Sequence, residues 1–122
     1  FSRRTTFQEF AEGSYIIREG DDNQFFYLLY EGQLIVKKGR TEVALLGPGD
    51  FFGEISLLQN SLAQATIVTR TPCRCLIMNK REFIQFLAKD FTVGLRFEEI
   101  SSQRLGQPIF PLRGKSFDVL RG

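Results

Sequence analysis

Phe51-Phe52-Gly53-Glu54-Ile55-Ser56-Leu57-Leu58, followed after a short gap by Ala63-Gln64-Ala65-Thr66-Ile67-Val68, is the stretch from which the rest of this chain is read. A glycine at this point lets the backbone take φ > 0 or approach another group closely. Glu54 onward reads as the start of a short helix. The first N–H groups of such a helix have no intrahelical partner, and its positive dipole end favours a nearby anion. Phe51, Phe52, Leu57 and Leu58 read as core packing, and Thr66 to Thr69 reads as a strand.

Working outward, short strand-like runs separated by glycine-bearing turns fill the chain on both sides. Ser14 to Arg18, Phe25 to Tyr30, Gln33 to Lys37, Thr41 to Leu46 and Arg74 to Met78 join Thr66 to Thr69 in this series. The turns are Gly20-Asp21-Asp22-Asn23, Glu31-Gly32, Lys38-Gly39-Arg40, Gly47-Pro48-Gly49-Asp50 and Thr71-Pro72. Many short strands at close spacing argue for a sandwich or barrel. Helical signals gather at the C-terminal end. Asn79-Lys80-Arg81-Glu82 has the spacing of an N-cap with a reciprocal glutamate, and Phe83, Phe86 and Leu87 share the face that follows. Val93, Phe97, Ile100 and Arg104 share a face of a second helix, with Leu105 beside it and Gly106 and Pro108 ending it. Phe7 and Phe10 suggest a short N-terminal helical turn. The expected division is one domain over 1–106 and a tail or linker over 107–122.

Composition narrows the function classes. A chain of 122 residues supports one domain. With 43% hydrophobic residues and 13 phenylalanines it can build a core. A net charge of +2 without a basic stripe argues against a nucleic-acid binder. Arg3, Arg4, Arg113, Lys115 and Arg121 read as solvated termini. No apolar run reaches the ~18 residues needed to cross a bilayer. Cys73 and Cys75 are too few for a disulfide framework, and zinc lacks histidine partners; both read as small buried hydrophobes in a reducing, cytoplasmic compartment. There is no histidine, no nucleophile motif and no metal-ligand cluster, so no enzyme and no metal site is expected. Glu98 and Glu99 are adjacent on a helix and do not face one another. The chain opens on Phe1, which implies a longer natural protein with further domains.

The opening stretch resembles the phosphate-binding cassette of cyclic nucleotide-binding domains, which reads roughly F-G-E-L/I-A/S-L, a variable loop, then P-R-x-A-T-V. Gly13, Gly20, Gly32 and Gly49 sit where that family bends between strands, so the resemblance covers about residues 7 to 105. It implies a mainly β fold with C-terminal helices, an antiparallel β-roll or jelly roll of the cyclic nucleotide-binding domain type. It also implies cyclic AMP or cyclic GMP as candidate ligand, with no other cofactor. Phe52, Gly53, Glu54, Ile55, Ser56, Ala63, Gln64 and Ala65 would form the site, and Val43 and Leu45 would contact the base. The Ser56 N–H and an N–H near Gln64 would reach the cyclic phosphate, and Glu54 would accept a hydrogen bond from the ribose 2′-hydroxyl. Arg96 or Phe97 would cap the base as the C-terminal helices, 80–105, close. The partners implied are a small-molecule nucleotide and a fused effector domain, and the resemblance admits a homodimer through the C-terminal helices.

This chain departs from the cassette at its charged position. Spacing puts Ala63 where the family's arginine neutralises the phosphate, with Leu62 for the proline, and no arginine or lysine occurs between Arg40 and Arg70. Losing a charge-assisted hydrogen bond costs about 1.5–3 kcal/mol, and an unpaired buried charge about 3–5 kcal/mol. Two expectations follow: a ligand-sensing regulatory module, or a homologue that has lost ligand binding and serves protein–protein contacts. Gln64 beside Ala63 would also suit an uncharged nucleoside, because an amide donates hydrogen bonds without neutralising charge.

Overall fold

Short runs rich in apolar residues, separated by turns, become strands whose successive side chains point to opposite faces. A computed structural model describes residues 6–89 and 91–105. In chain order the strands are β1 (Thr6–Phe10), β2 (Tyr15–Ile17), β3 (Phe25–Glu31), β4 (Leu34–Lys38), β5 (Thr41–Leu46) and β6 (Phe51–Phe52). Helix α1 (Glu54–Gln59) follows, then β7 (Thr66–Thr69), β8 (Cys73–Asn79), α2 (Lys80–Lys89) and α3 (Phe91–Leu105).

Two four-stranded antiparallel sheets result, ordered β1-β8-β3-β6 and β2-β7-β4-β5. Their inner faces meet in a core of Ile17, Tyr27, Leu29, Leu34, Leu46, Phe52, Ile67 and Cys75. Tyr27 stacks on Phe52 at 4.7 Å between ring centroids. The opposite face of β3 gives Phe26 to a second core with Phe51, Leu57 and Phe83. Phe26 and Phe83 stack at 4.3 Å, and Phe97 of α3 lies 4.3 Å from Phe51. The mainly β architecture expected from the sequence is therefore present, with α2 and α3 packed through aromatic rings.

Strand β8 runs directly into α2 through the expected capping box. Asn79 Oδ1 accepts the Glu82 N–H at 2.8 Å, and Glu82 Oε1 accepts the Asn79 N–H at 3.2 Å. Phe83 is fully buried and Leu87 partly so, while Phe86 stays 38% exposed. One expectation fails. Phe7 and Phe10 do not form a helical turn; they lie in β1, which pairs along β8 from Thr6 opposite Ile77 to Phe10 opposite Cys73. The pairing is long-range and β1 is exposed almost throughout, so no local alternation marks it as a strand. The ending at Gly106 and Pro108, the tail 107–122 and the side chains of Val93 and Leu105 lie outside the described residues.

Candidate ligand-binding site

Gly53 joins β6 to α1, and its geometry shows why no other residue fits there. It has φ 86° and ψ −6°, in the left-handed region. A Cβ on it would stand 2.6 Å from Phe25 O. Asn23, in the turn before β3, fixes this corner from below. Its buried amide donates to Phe25 O at 2.7 Å, to Gly53 O at 3.2 Å and to Ser56 Oγ at 3.2 Å. The turn from β6 into α1 is thus pinned to β3 by one side chain.

The segment before β7 is fixed by backbone pairing instead. The Ala63 N–H donates to Asp21 O at 2.8 Å, and Ala63 O accepts the Gly20 N–H at 2.8 Å. That pairing holds residues 63–65 opposite the entry to α1. Between the two lies a cavity of about 400 Å³. Pockets for small molecules commonly measure about 300–1,000 Å³.

The cavity gathers most of the residues expected at the site. Phe52, Gly53, Glu54, Ile55 and Ser56 form one wall, and Ala63, Gln64 and Ala65 form another. Val43 reaches it beside Ala44, because β5 carries an irregularity there: Ala44 opposes Val36 and Glu42 opposes Lys37, so Val43 is the extra residue of a bulge. Leu45 is not in the lining; it is half exposed. Alternation along β5 carries Ala44 and Leu46 inward and Leu45 out.

Glu54 is the most buried charged group of the site, at 1% exposure. Its Oε2 accepts from Ser101 Oγ at 2.9 Å and from Arg104 Nη1 at 3.1 Å, both on α3. Arg104 Nη1 also donates to Phe51 O at 2.6 Å, and its guanidinium lies 4.6 Å from the Phe51 ring centroid. Among the described residues Glu54 Oε1 accepts no hydrogen bond. The carboxylate expected to meet a ribose hydroxyl is therefore already half engaged by the C-terminal helix.

A family model described as the cyclic nucleotide-binding domain matches residues 7–90. The chain belongs to this family. It is 36% identical over 80 residues to the cAMP-dependent protein kinase regulatory subunit of Hypocrea atroviridis, covering 66% of this chain and 17% of that protein. It is 34% identical over 79 residues to the corresponding subunit of Schizosaccharomyces pombe, covering 64% of this chain and 19% of the relative. The chain thus spans under a fifth of the length of these curated relatives. Among solved structures, the catabolite activator protein of Thermus thermophilus is similar with a TM-score of 0.74 and 24% identity, over 97% of this chain and 55% of that one. The regulatory domain of Toxoplasma gondii PKA, crystallised with cAMP, gives a TM-score of 0.73 and 24% identity, over 82% of this chain and 40% of that one.

Within this cyclic nucleotide-binding domain, the C-terminal contact to the site comes from an unexpected residue. Neither Arg96 nor Phe97 lines the cavity; Arg96 is exposed and Phe97 sits in the aromatic core. Arg104 lines it instead. Its membership of the Phe97–Ile100 face was the available signal, since an arginine on the buried side of a helix needs a polar partner. Arg74, another cation near β7 in sequence, is committed elsewhere. It lies over the rings of Phe7 and Tyr30 at 5.0 and 5.7 Å and pairs with Glu31 at 3.5 Å. Lys38 is a further lining residue, just outside the cation-free run between Arg40 and Arg70. Asn23, in sequence only one residue of the turn Gly20-Asp21-Asp22-Asn23, carries no signal of its role at this corner.

Proposed function

We propose that this domain is a ligand-sensing regulatory module that binds a cyclic nucleotide, cyclic AMP or cyclic GMP, or a related nucleotide or nucleoside. The observation that carries this reading is the cavity itself: both halves of the cassette face one open space of about 400 Å³ that no side chain of the described residues fills. The family and the resemblance to regulatory subunits support it. On this reading the cassette holds the ligand's phosphate end. Glu54 Oε1 takes a sugar hydroxyl while Oε2 stays with Ser101 and Arg104. Occupancy then biases α3 through that shared carboxylate, and a fused effector outside this chain reads the change. A ligand shifts such an equilibrium only by its differential affinity for the two positions of α3.

The expected outcome of a thermal-shift panel of cyclic AMP, cyclic GMP, cyclic dinucleotides, adenosine and inosine is a concentration-dependent rise in Tm for at least one compound. Binding stabilises by mass action, so even a millimolar ligand registers when its concentration well exceeds Kd. No shift from any compound at ten-millimolar concentration overturns the reading.

Ala63 in the cassette's charged position favours a second reading, a binding-silent domain that serves protein contacts. Ala63→Arg separates the two. Cyclic AMP binding gained by the variant where the native chain shows none places the chain in the silent class with an otherwise sound pocket. Native binding that Ala63→Arg strengthens places it in the sensing class.

A further inference from the structure

We infer that Lys38 supplies the positive charge that Ala63 does not, so that the cavity takes a monoanionic nucleotide in preference to an uncharged nucleoside. The inference rests on the ligand-sensing reading above and narrows its ligand class.

Lys38 is the last residue of β4. The alternation along that strand puts Leu34 in the core and Val36 and Lys38 in the cavity lining, so Lys38 extends the inward-facing row to the rim. The register with β7 then fixes what it faces. Leu34 opposes Thr69, Val36 opposes Ile67 and Lys37 opposes Thr66. One further step brings Lys38 alongside Ala65, in the Ala63–Ala65 segment that carries the vacant charge position. Adjacent strands lie about 4.8 Å apart, a gap that a four-carbon lysine stem spans.

Charge bookkeeping within the cavity points the same way. Its lining holds Lys38, Arg104 and Glu54 as ionisable side chains. Arg104 and Glu54 neutralise one another at 3.1 Å. Among the described residues the Lys38 ammonium has no ion-pair or hydrogen-bond partner. Glu19, which reaches this hairpin, places its Oε1 on the Gly39 N–H at 2.9 Å instead. Counted over the lining side chains alone, with the Glu19 carboxylate outside the lining, one positive charge is left without an ion-pair partner, the complement of a cyclic phosphate diester. Lysine binds phosphate as a flexible point charge and needs no bidentate geometry.

The test is calorimetric titration of the chain with cyclic AMP and with adenosine, for the native sequence, Lys38→Gln and Lys38→Arg. Lys38 is exposed at a strand end, so Lys38→Gln is expected to fold, and Lys38→Arg retains the charge as a second control. Native chain should bind cyclic AMP more tightly than adenosine. Lys38→Gln should weaken cyclic AMP by about tenfold, the lower end for a charge-assisted bond because the rim is open to solvent. Adenosine binding should stay within about twofold, Lys38→Arg should restore cyclic AMP, and added salt should weaken cyclic AMP alone. Native chain that binds adenosine as tightly as cyclic AMP, or Lys38→Gln that leaves cyclic AMP affinity unchanged, overturns the role of Lys38 while the sensing reading stands. Native chain that binds neither compound overturns the role of Lys38, and the sensing reading falls with it only if cyclic GMP and the rest of the thermal-shift panel also fail to bind.

Discussion

Removing Arg104 should destabilise this domain more than removing the charge of its partner, and the asymmetry follows from burial. Glu54 is 1% exposed, whereas the Arg104 side chain retains 29% of its exposure. Arg104→Ala leaves a buried carboxylate with the Ser101 hydroxyl as its remaining donor on Oε2. An orphaned buried charge costs about 3–5 kcal/mol. Water can follow the deleted side chain along its exposed edge, which lowers the expected loss to about 2–3 kcal/mol. Glu54→Gln removes the charge but leaves an amide oxygen for Ser101. Arg104 then keeps Phe51 O at 2.6 Å and turns its remaining N–H groups to solvent, so this variant should lose about 1 kcal/mol. In the Glu54→Gln background, Arg104→Ala should cost only about 1 kcal/mol, which makes the coupling energy of the pair about 1–2 kcal/mol. Urea unfolding at pH 7 followed by far-UV circular dichroism measures all four corners of the cycle. Arg104→Ala within 0.5 kcal/mol of native, on the order of surface substitutions, would refute the reasoning. So would a Glu54→Gln loss equal to or greater than that of Arg104→Ala.

Two further predictions concern the frame around the cavity. Gly53→Ala should cost more than about 2 kcal/mol, because φ 86° disfavours a side chain and the new Cβ would stand 2.6 Å from Phe25 O. Gly39→Ala, at φ 61° with nothing within 4 Å, should cost about 1 kcal/mol, and equal losses in urea unfolding would show that the Gly53 corner is not tight. Burial, with Cys73 beside it, pushes the Cys75 thiol from 9.0 up to about 12. Its contribution to stability is complete below pH 9 and is lost between about pH 9 and 12 as the unfolded chain ionises first. The slope should be about 1.4 kcal/mol per pH unit. Cys75→Ala should make that decline shallower, leaving the part owed to Cys73 and Tyr27, which burial also pushes up, and an unchanged decline in the variant assigns it to other groups.

The strands were legible where alternation is local, and the site was legible where one glycine dictates a corner. Tyr27 and Leu29 alternate with Phe26 and Leu28 because the two faces of β3 meet two different cores, so the run reads as continuously apolar yet is still a strand. The capping box at Asn79 and Glu82 is a four-residue pattern and was visible as such. What escaped depends on partners distant in sequence. β1 exists because β8 offers it a ladder some 65 residues away. Val43 reaches the cavity through a bulge that no residue type announces. Arg104 meets Glu54 across a separation of 50 residues, and Lys38 joins the cassette in one cavity lining only because β4 pairs with β7.

On the proposed reading these last two residues divide the tasks of the site. The cassette arginine of the resembling family is a single group at the phosphate; here the two available cations stand at different places and do different work. Arg104 sits on α3 and its Nη1 already serves Glu54 at 3.1 Å and Phe51 O at 2.6 Å, so a ligand anion would meet its remaining N–H groups and share its charge with Glu54. Lys38 is tied to a hairpin between paired strands and has nothing to give up. A ligand anion held by Lys38 leaves Glu54 and Arg104 intact and favours α3 where it already packs. A ligand held by Arg104 competes with Glu54 for its charge and so weakens that packing. The sign of the response of α3 therefore follows from which cation receives the ligand. Arg104 Nη1 already serves Glu54 and Phe51 O while Lys38 is unpartnered among the described residues, and on the proposed reading this asymmetry favours closure over release.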